Sequence, residues 1–413
     1  ASFNINQTMG NLEFNELYSG ALNDYRAVKE KAKENQNWTY YFMATVMEAY
    51  TYQVLVDIYD KIPFAEAFQG AENLTPKYDD GQVVYDSLIA RIDAAMAKDL
   101  TALTAEDPGS NDFIFHGDMD KWIQFANTLK LKIYLRQIYA RPDVAKAGIE
   151  KLYNNGANFL TTHAHMDIFI DEDSKSNPLY EKDRRQLNTS NNLRASRTLF
   201  DYLSANSDPR LQEFYMENDN GGYGAMKQGD HNASSSDLDP AGVSIVELAP
   251  TDPVYFISES ESYFMQAEVN VRYGLGTDAE TLYNQGVEAA FGKFGLSGQA
   301  SSFTADGGAY EYPTSGTADD KIKAIMMQKW VSMARFQGIE AWFEQKRTGY
   351  PEVSSVGVDH TSYTPGELVS PVSNSLGEGN FPLRLLFPDT ESARNPNTPD
   401  IVPVTQPVWW DKN

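Results

Sequence analysis

The chain has 413 residues, 41% hydrophobic and 22% charged, proportions that exclude a disordered or collagen-like polymer and fit a protein with a sizeable core. Lys and Arg total 34 against 58 Asp and Glu, a formal charge of −24; such a surface repels nucleic-acid phosphates and anionic lipid, whose binding needs clustered cations. There is no cysteine, which removes disulfides, thiolate metal sites and cysteine nucleophiles from consideration.

Helical patterning begins at Phe14 and continues to about Arg141. The segment from Asn37 to Tyr59 is apolar almost all round, so it reads as a central helix rather than one wet on a side; Ile62-Pro63 ends it, since proline lacks the amide proton a helix interior needs. From Tyr78 to Leu100, Val84, Leu88, Ile92 and Met96 repeat at helical spacing behind Asp79 or Asp80 as N-cap. Gly117-Asp118 then precedes a helix carrying Trp122, Phe125, Leu129 and Ile133. Between Asn154 and Pro253 the chain turns rich in Asn, Asp, Ser, Gly and Pro, with one alternating piece, Phe159 to Ile170, that reads as a short strand or hairpin. Helices are expected again over Tyr255–Gly274, Asp278–Phe291 and Asp319–Thr348, the last closed by Gly349 and Pro351. The tail from Glu352 is an irregular coat with short strands at best, such as Leu383 to Phe387. No run of apolar residues is long enough to span a membrane, and the first ten residues lack the features of a signal peptide, so the chain reads as a soluble, trimmed mature form.

Several stretches resemble one family in a shared order. Tyr50 to Ala67, YTYQVLVDIYDKIPFAEA, is similar to an aromatic helix running into a D-x-Y-G-x-(I/V)-P-(Y/F)-x-E-A turn, with Asp60 where glycine is usual. Leu74-Thr75-Pro76-Lys77-Tyr78-Asp79 follows, then Asp118 to Leu131, Asn177-Pro178-Leu179-Tyr180, Asp208-Pro209-Arg210-Leu211 and Glu261 to Glu268. Gln328-Lys329-Trp330, Gly338-Ile339-Glu340-Ala341-Trp342 and Arg347-Thr348-Gly349-Tyr350-Pro351 are the most specific, and Phe381 to Pro388 with Glu391 and Asn395 completes the set. Together they resemble the SusD/RagB family of Bacteroidetes outer-membrane lipoproteins, in its shorter SusD-like branch. The resemblance implies a mostly all-α fold of tetratricopeptide-like helix pairs plus an irregular loop-rich region with minor short strands. A single SusD-like domain over 1–413 is expected, with a helical scaffold at about 14–153 and 255–348, a loop-rich insertion at about 154–253 and an irregular C-terminal coat at 349–413. It also implies a cell-surface, lipid-anchored protein that binds a nutrient, an oligosaccharide by kinship, and works with a SusC-like TonB-dependent outer-membrane transporter. The anchoring cysteine is not in this sequence, and the first family-like helix starts almost at once, so the chain is expected to begin late relative to the family.

No residue pattern demands catalysis. Pairs such as Glu259 and Glu261, or Glu340 and Glu344, are unavoidable among 58 acidic residues, and charge runs are mostly solvated faces. His163 and His165 would share one strand face, yet no third metal ligand accompanies them. Asp171 to Asn177 has oxygens at alternate positions but lacks the glycine and the distal glutamate of a calcium loop, that last place holding Lys182. Neither metal nor cofactor is assigned. The chain carries 24 Tyr, and a tyrosine ring offers a sugar a flat apolar face with a hydroxyl at its rim. Tyr50, Tyr52 and Tyr59 belong to a helix and read as structural, as do Trp122, Trp330 and Trp342. The candidates for ligand contact are Tyr223, inside Gly221-Gly222-Tyr223-Gly224, and Tyr310 with Tyr312 in a glycine-rich link. Two other classes compete with the transport reading: a helical glycoside hydrolase and a protein-binding helical-repeat scaffold.

Overall fold

The computed structural model describes residues 2–189, 192–229 and 239–413; part of the loop-rich insertion therefore lies outside the described residues. Packing groups the chain into two compact units, a finer division than the single domain expected from sequence. One comprises residues 5–159 and 382–413, the other residues 1–4 and 160–381.

In the first unit, helices α1 (Asn23–Glu34), α2 (Trp38–Tyr59), α3 (Gly81–Met96), α4 (Met119–Arg136) and α5 (Pro142–Asn154) pack in sequence-adjacent pairs, α1 on α2, α2 on α3 and α4 on α5. Helix α2 is central, with 16 of its 22 residues buried, as its lack of a polar stripe requires. It ends at Asp60, whose φ of 74° and ψ of −47° are costly for a residue with a Cβ. That conformation explains why glycine suits the position. Asp60 is held there because its carboxylate accepts from the Trp409 N–H at 2.6 Å and faces Arg384 at 3.6 Å. The chain then forms β1 (Lys61–Pro63), antiparallel to β2 (Tyr78–Asp80) with Ile62 opposite Asp79. Asp80 occupies the N-cap position of α3 without a side-chain capping bond, its carboxylate pairing instead with Lys61 at 2.7 Å, while Asp79 accepts from the Phe64 and Ala65 N–H groups at 3.3 and 2.8 Å and fixes the turn.

A buried ion pair knots this unit. Asp57 on α2 receives Arg136 Nε of α4 at 3.0 Å, the Tyr85 hydroxyl of α3 at 2.5 Å, the Trp410 indole N–H at 2.7 Å, and the Gln53 amide. A buried carboxylate is tolerable only with partners of this kind. Residues 383–387 run extended beside Ile58 and Val404, through Leu385 N–H to Ile58 O at 3.1 Å and Leu383 N–H to Val404 O at 2.8 Å, without forming a strand.

The second unit is built on α6 (Arg197–Ala205), α7 (Glu259–Tyr273), α8 (Ala279–Gly292), α9 (Ser297–Thr304), α10 (Ala318–Met333) and α11 (Gly338–Thr348). Helix α7 packs on α8 and α10, α8 on α9, and α10 on α11. The alternating piece at 159–170 contains β3 (Ala164–Met166), antiparallel to β4 (Val254–Ile257). Residues 255–257, expected to open a helix, thus belong to a strand, and Ser258 caps the helix that follows by accepting from Glu261 N–H.

The helix expected over Asp319–Thr348 is two. Arg335 breaks it at a φ of 71°, held by two hydrogen bonds of 2.7 and 2.6 Å to Asp252 and one of 3.0 Å to Glu213 O. Residues 334–337 contain neither glycine nor proline, although Gly338 opens the second helix, and the apolar period runs straight through the break. Gly349 does close α11 at a φ of 77°, the left-handed cap glycine favours.

Candidate functional site

Family-like motifs of the second unit, Asp208 to Leu211, Glu261 to Glu268, Gln328 to Trp330 and Arg347 to Pro351, meet in buried polar networks. Arg347 is fully enclosed and reaches Glu268 with two bonds of 2.7 Å and Glu344 with bonds of 3.1 and 2.6 Å. Arg272 adds a bond to Glu268 at 2.8 Å, and Lys329 one to Glu344 at 2.8 Å. Burial alone would raise the Glu268 carboxyl, and the Arg347 and Arg272 charges reverse this and bring it to about 2. Asp208 pairs with Arg210 at 2.6 Å, and Gln328 receives the same guanidinium at 3.2 Å. These groups face one another, so they hold helices together and offer nothing to a ligand.

That second network accounts for Tyr310. Its hydroxyl donates to Asp208 at 2.6 Å, its carbonyl accepts from the Tyr283 hydroxyl at 3.0 Å, and its ring stacks with Tyr202 and Phe303. Tyr312 packs on Tyr283 with ring centroids 5.3 Å apart. The two are only 4% and 5% exposed, which corrects the expectation of loop contacts: a buried carboxylate needs donors, and this link supplies one. One member of each carboxylate pair is structural too. Glu344 belongs to the Arg347 network, and buried Glu261 accepts from the Gln337 amide at 2.9 Å. Trp122 is buried and donates to Asp112 at 2.7 Å, whereas Trp330 and Trp342 are half-buried. His163 accepts from the Glu259 N–H at 3.0 Å, and His165 stacks on Tyr255. Burial first, then the Lys293 and His165 charges, push His163 down to about 3; it is a neutral acceptor at physiological pH.

Tyr223 is half-buried and packs beside the cluster of Leu203, Phe214 and Val331. Its neighbour Gly224 is needed as glycine, because a Cβ there would sit 2.1 Å from Gly242 O. Partial burial, followed by the Glu217 and Glu213 charges, raises the Tyr223 hydroxyl above its ordinary value. The run continues to Lys227 and Gln228, which enter a pocket of about 560 Å³ together with Arg197, Asp359, His360 and Asn374.

Backbone bonds assemble that pocket from three distant segments. Arg197 N–H donates to Met226 O at 3.1 Å, Val372 N–H to Gln228 O at 3.0 Å, and Ser354 N–H to Leu368 O at 2.8 Å. Arg197 reaches Asp201 at 2.8 Å and Asp359 at 3.4 Å, and Lys227 pairs with the same Asp359. The Lys227 hydrogen bond is the main cause that holds Asp359 below its ordinary value, whereas burial raises Asp201 despite Arg197. His360 Nδ1 accepts from Ser362 N–H at 3.1 Å, which leaves Nε2 as the protonated nitrogen of the neutral ring. The pocket wall itself holds two cations, Arg197 and Lys227, and two carboxylates, Asp359 and Glu378, among amides and hydroxyls: a locally balanced array of donors and acceptors suited to a neutral, hydroxyl-rich molecule. Sequence reading missed these residues. Their only signal was a polar, glycine- and serine-rich composition shared with every irregular segment.

No curated protein matches the chain. Among solved structures it is similar to a SusD homologue from Bacteroides uniformis, with a TM-score of 0.77 at 22% identity, covering 97% of this chain and 86% of that one. It is also similar to a chitin-binding SusD homologue from Flavobacterium johnsoniae, with a TM-score of 0.78 at 20% identity over 97% and 86% of the two chains. A SusD homologue from Bacteroides ovatus gives 0.78 at 21% identity over 100% and 89%. At these identities the likeness establishes the mostly helical fold with minor strands. The family model that matches, over residues 1–371, is SusD-like_2, described as starch-binding and associating with the outer membrane, a description of binding and not of turnover. With its motif residues accounted for in the buried networks and the match spanning most of its length, the chain belongs to the SusD-like family.

Proposed function

We propose that this protein captures an oligosaccharide at the cell surface and passes it to a SusC-like TonB-dependent transporter, held at the outer membrane by a lipid on its N-terminal side. The observation that carries the reading is the family match over residues 1–371, with its description as starch-binding and outer-membrane associated. The pocket around Arg197, Lys227, Asp359 and His360 supports it, since vicinal sugar hydroxyls each donate and accept and are met by paired charges and amides. Tyr223, four residues before Lys227, is the aromatic candidate for stacking on a sugar face.

The test is calorimetric titration with malto-oligosaccharides, chito-oligosaccharides and a peptide pool, the chitin series being included because of the chitin-binding structural neighbour. One saccharide series is expected to bind, with Tyr223→Ala weakening it about tenfold, the value of one lost stacking contact. Co-purification of the lipidated protein with a transporter tests the partner. Binding of peptides alone, or an unchanged affinity in Tyr223→Ala and Asp359→Asn together, refutes the site.

A further inference from the structure

The first unit contains a pocket of opposite electrical character. It measures about 310 Å³ and is bounded by α1, α2, α3 and the turn after β1. In a chain of formal charge −24, its walls hold four cations, Arg26, Lys29, Lys33 and Arg91, against two carboxylates, Glu30 and Glu48. Three of the cations follow from sequence spacing: Arg26, Lys29 and Lys33 stand three and four apart and share one face of α1. The fourth reaches in from α3.

The cations are built in rather than scattered. Glu48, itself buried, receives Lys29 at 2.5 Å and Arg91 at 3.3 Å, and Glu30 receives Arg26 at 2.7 Å. Arg91 lies 4.1 Å over the Phe64 ring and Arg26 lies 5.9 Å over that of Phe68, placements that restrain a guanidinium before any ligand arrives. Arg26 Nε is buried without a hydrogen-bond partner, and among the described residues Lys33 makes no ion pair. Burial lowers the Lys29 ammonium, with Glu48 opposing it and Arg91 adding a smaller push; the excess of positive charge is in the lining itself, four cations against two carboxylates. Phe68 holds a φ of 63°, an unusual conformation for a bulky residue. The Asp79-clamped turn thus carries its ring to this wall at some conformational cost.

We propose that this pocket binds an acidic saccharide, with a ring-borne carboxylate between Arg26, Lys29, Lys33 and Arg91 and the ring against Phe68. One carboxylate reduces the local excess of two positive charges to one. The site is distinct from the neutral-glycan pocket of the other unit and does not depend on it.

The experiment is calorimetric and ligand-observed NMR titration of the full chain with D-glucuronate, D-glucose, acetate, inorganic sulfate and inorganic phosphate. Glucuronate is expected to bind, glucose and acetate far more weakly, and the glucuronate affinity to fall as salt rises from about 20 to about 500 mM. Lys33→Glu and Arg26→Gln are each expected to weaken it about five- to tenfold. Lys31→Glu, an equal charge change outside the pocket lining, and Tyr223→Ala are expected to leave it unchanged. Equal loss in Lys31→Glu shows a general field effect and overturns the site. Glucose binding as tightly as glucuronate, glucuronate binding no tighter than acetate, or sulfate and phosphate binding alone overturns the acidic saccharide. Tyr223→Ala abolishing glucuronate binding merges the two pockets and overturns their separation.

Discussion

Replacing Arg347 by methionine keeps an unbranched, buried side chain and removes the charge that joins α7 to α11. Two bonds to Glu268 and two to Glu344 disappear, leaving Arg272 and Lys329 as the remaining cations. Removing one partner of a buried ion pair costs about 3–5 kcal/mol, and those two cations place the expectation near the lower figure. The electrostatics agree in direction: against the effect of burial, the Arg347 and Arg272 charges hold the Glu268 carboxyl well below its ordinary value. A carboxyl held low when folded stabilises the protein above its unfolded value, and that contribution disappears as pH falls from 4.5 toward 2. Native-state hydrogen exchange of α7 and α11 measures the loss locally, without requiring both units to unfold together. Wild type minus Arg347→Met is expected to be about 3 kcal/mol at neutral pH and to shrink across that acid window. A cycle with Glu268→Gln should return a coupling of about 2 kcal/mol. A loss below about 1 kcal/mol, or a difference that stays flat with pH, refutes the view that this ion pair organises the unit.

Asp60→Gly is expected to change thermal stability by less than about 1 kcal/mol, since relief of the positive φ offsets the lost contacts to Trp409 and Arg384, whereas Asp60→Ala keeps the strain and costs about 2 kcal/mol; thermal denaturation of both distinguishes them. Lys293 is pushed down to about 7, by burial first and by Arg210, against the pull of Glu261 and Glu259. The unfolded chain binds more protons at this residue between pH 7 and 10.5, so stability contributed here rises with pH. Urea denaturation between about pH 7 and 9, below the range where tyrosines ionise, should show that rise in wild type and a flatter profile in Lys293→Met; parallel profiles contradict it.

The helical frame was legible because periodicity reports which face is buried. Helix α2 and the capped starts at Asp118 and Asp278 lie where apolar spacing and short polar residues place them. The break at Arg335 was not legible, because its cause is a bidentate contact with Asp252, 83 positions away. Tyr310 misled for a related reason. A glycine-rich link looks exposed, yet the buried Asp208–Arg210 pair draws its hydroxyl inward. Local composition cannot show a demand set by a distant carboxylate.

The division between motif and site follows from the same physics. Asp208, Arg210, Glu268, Gln328, Lys329 and Arg347 are all buried and bonded mainly to one another, so a change in any of them disturbs the frame whatever the ligand. Arg197, Lys227, Asp359 and His360 stand on pocket walls made by a helix start and two irregular segments, where substitution leaves the frame intact. Ordered motifs in a chain of this kind therefore identify the scaffold. Under the proposed function the ligand is selected by pocket residues that no short motif contains, so binding measurements on pocket variants, and not motif variants, are the test of it.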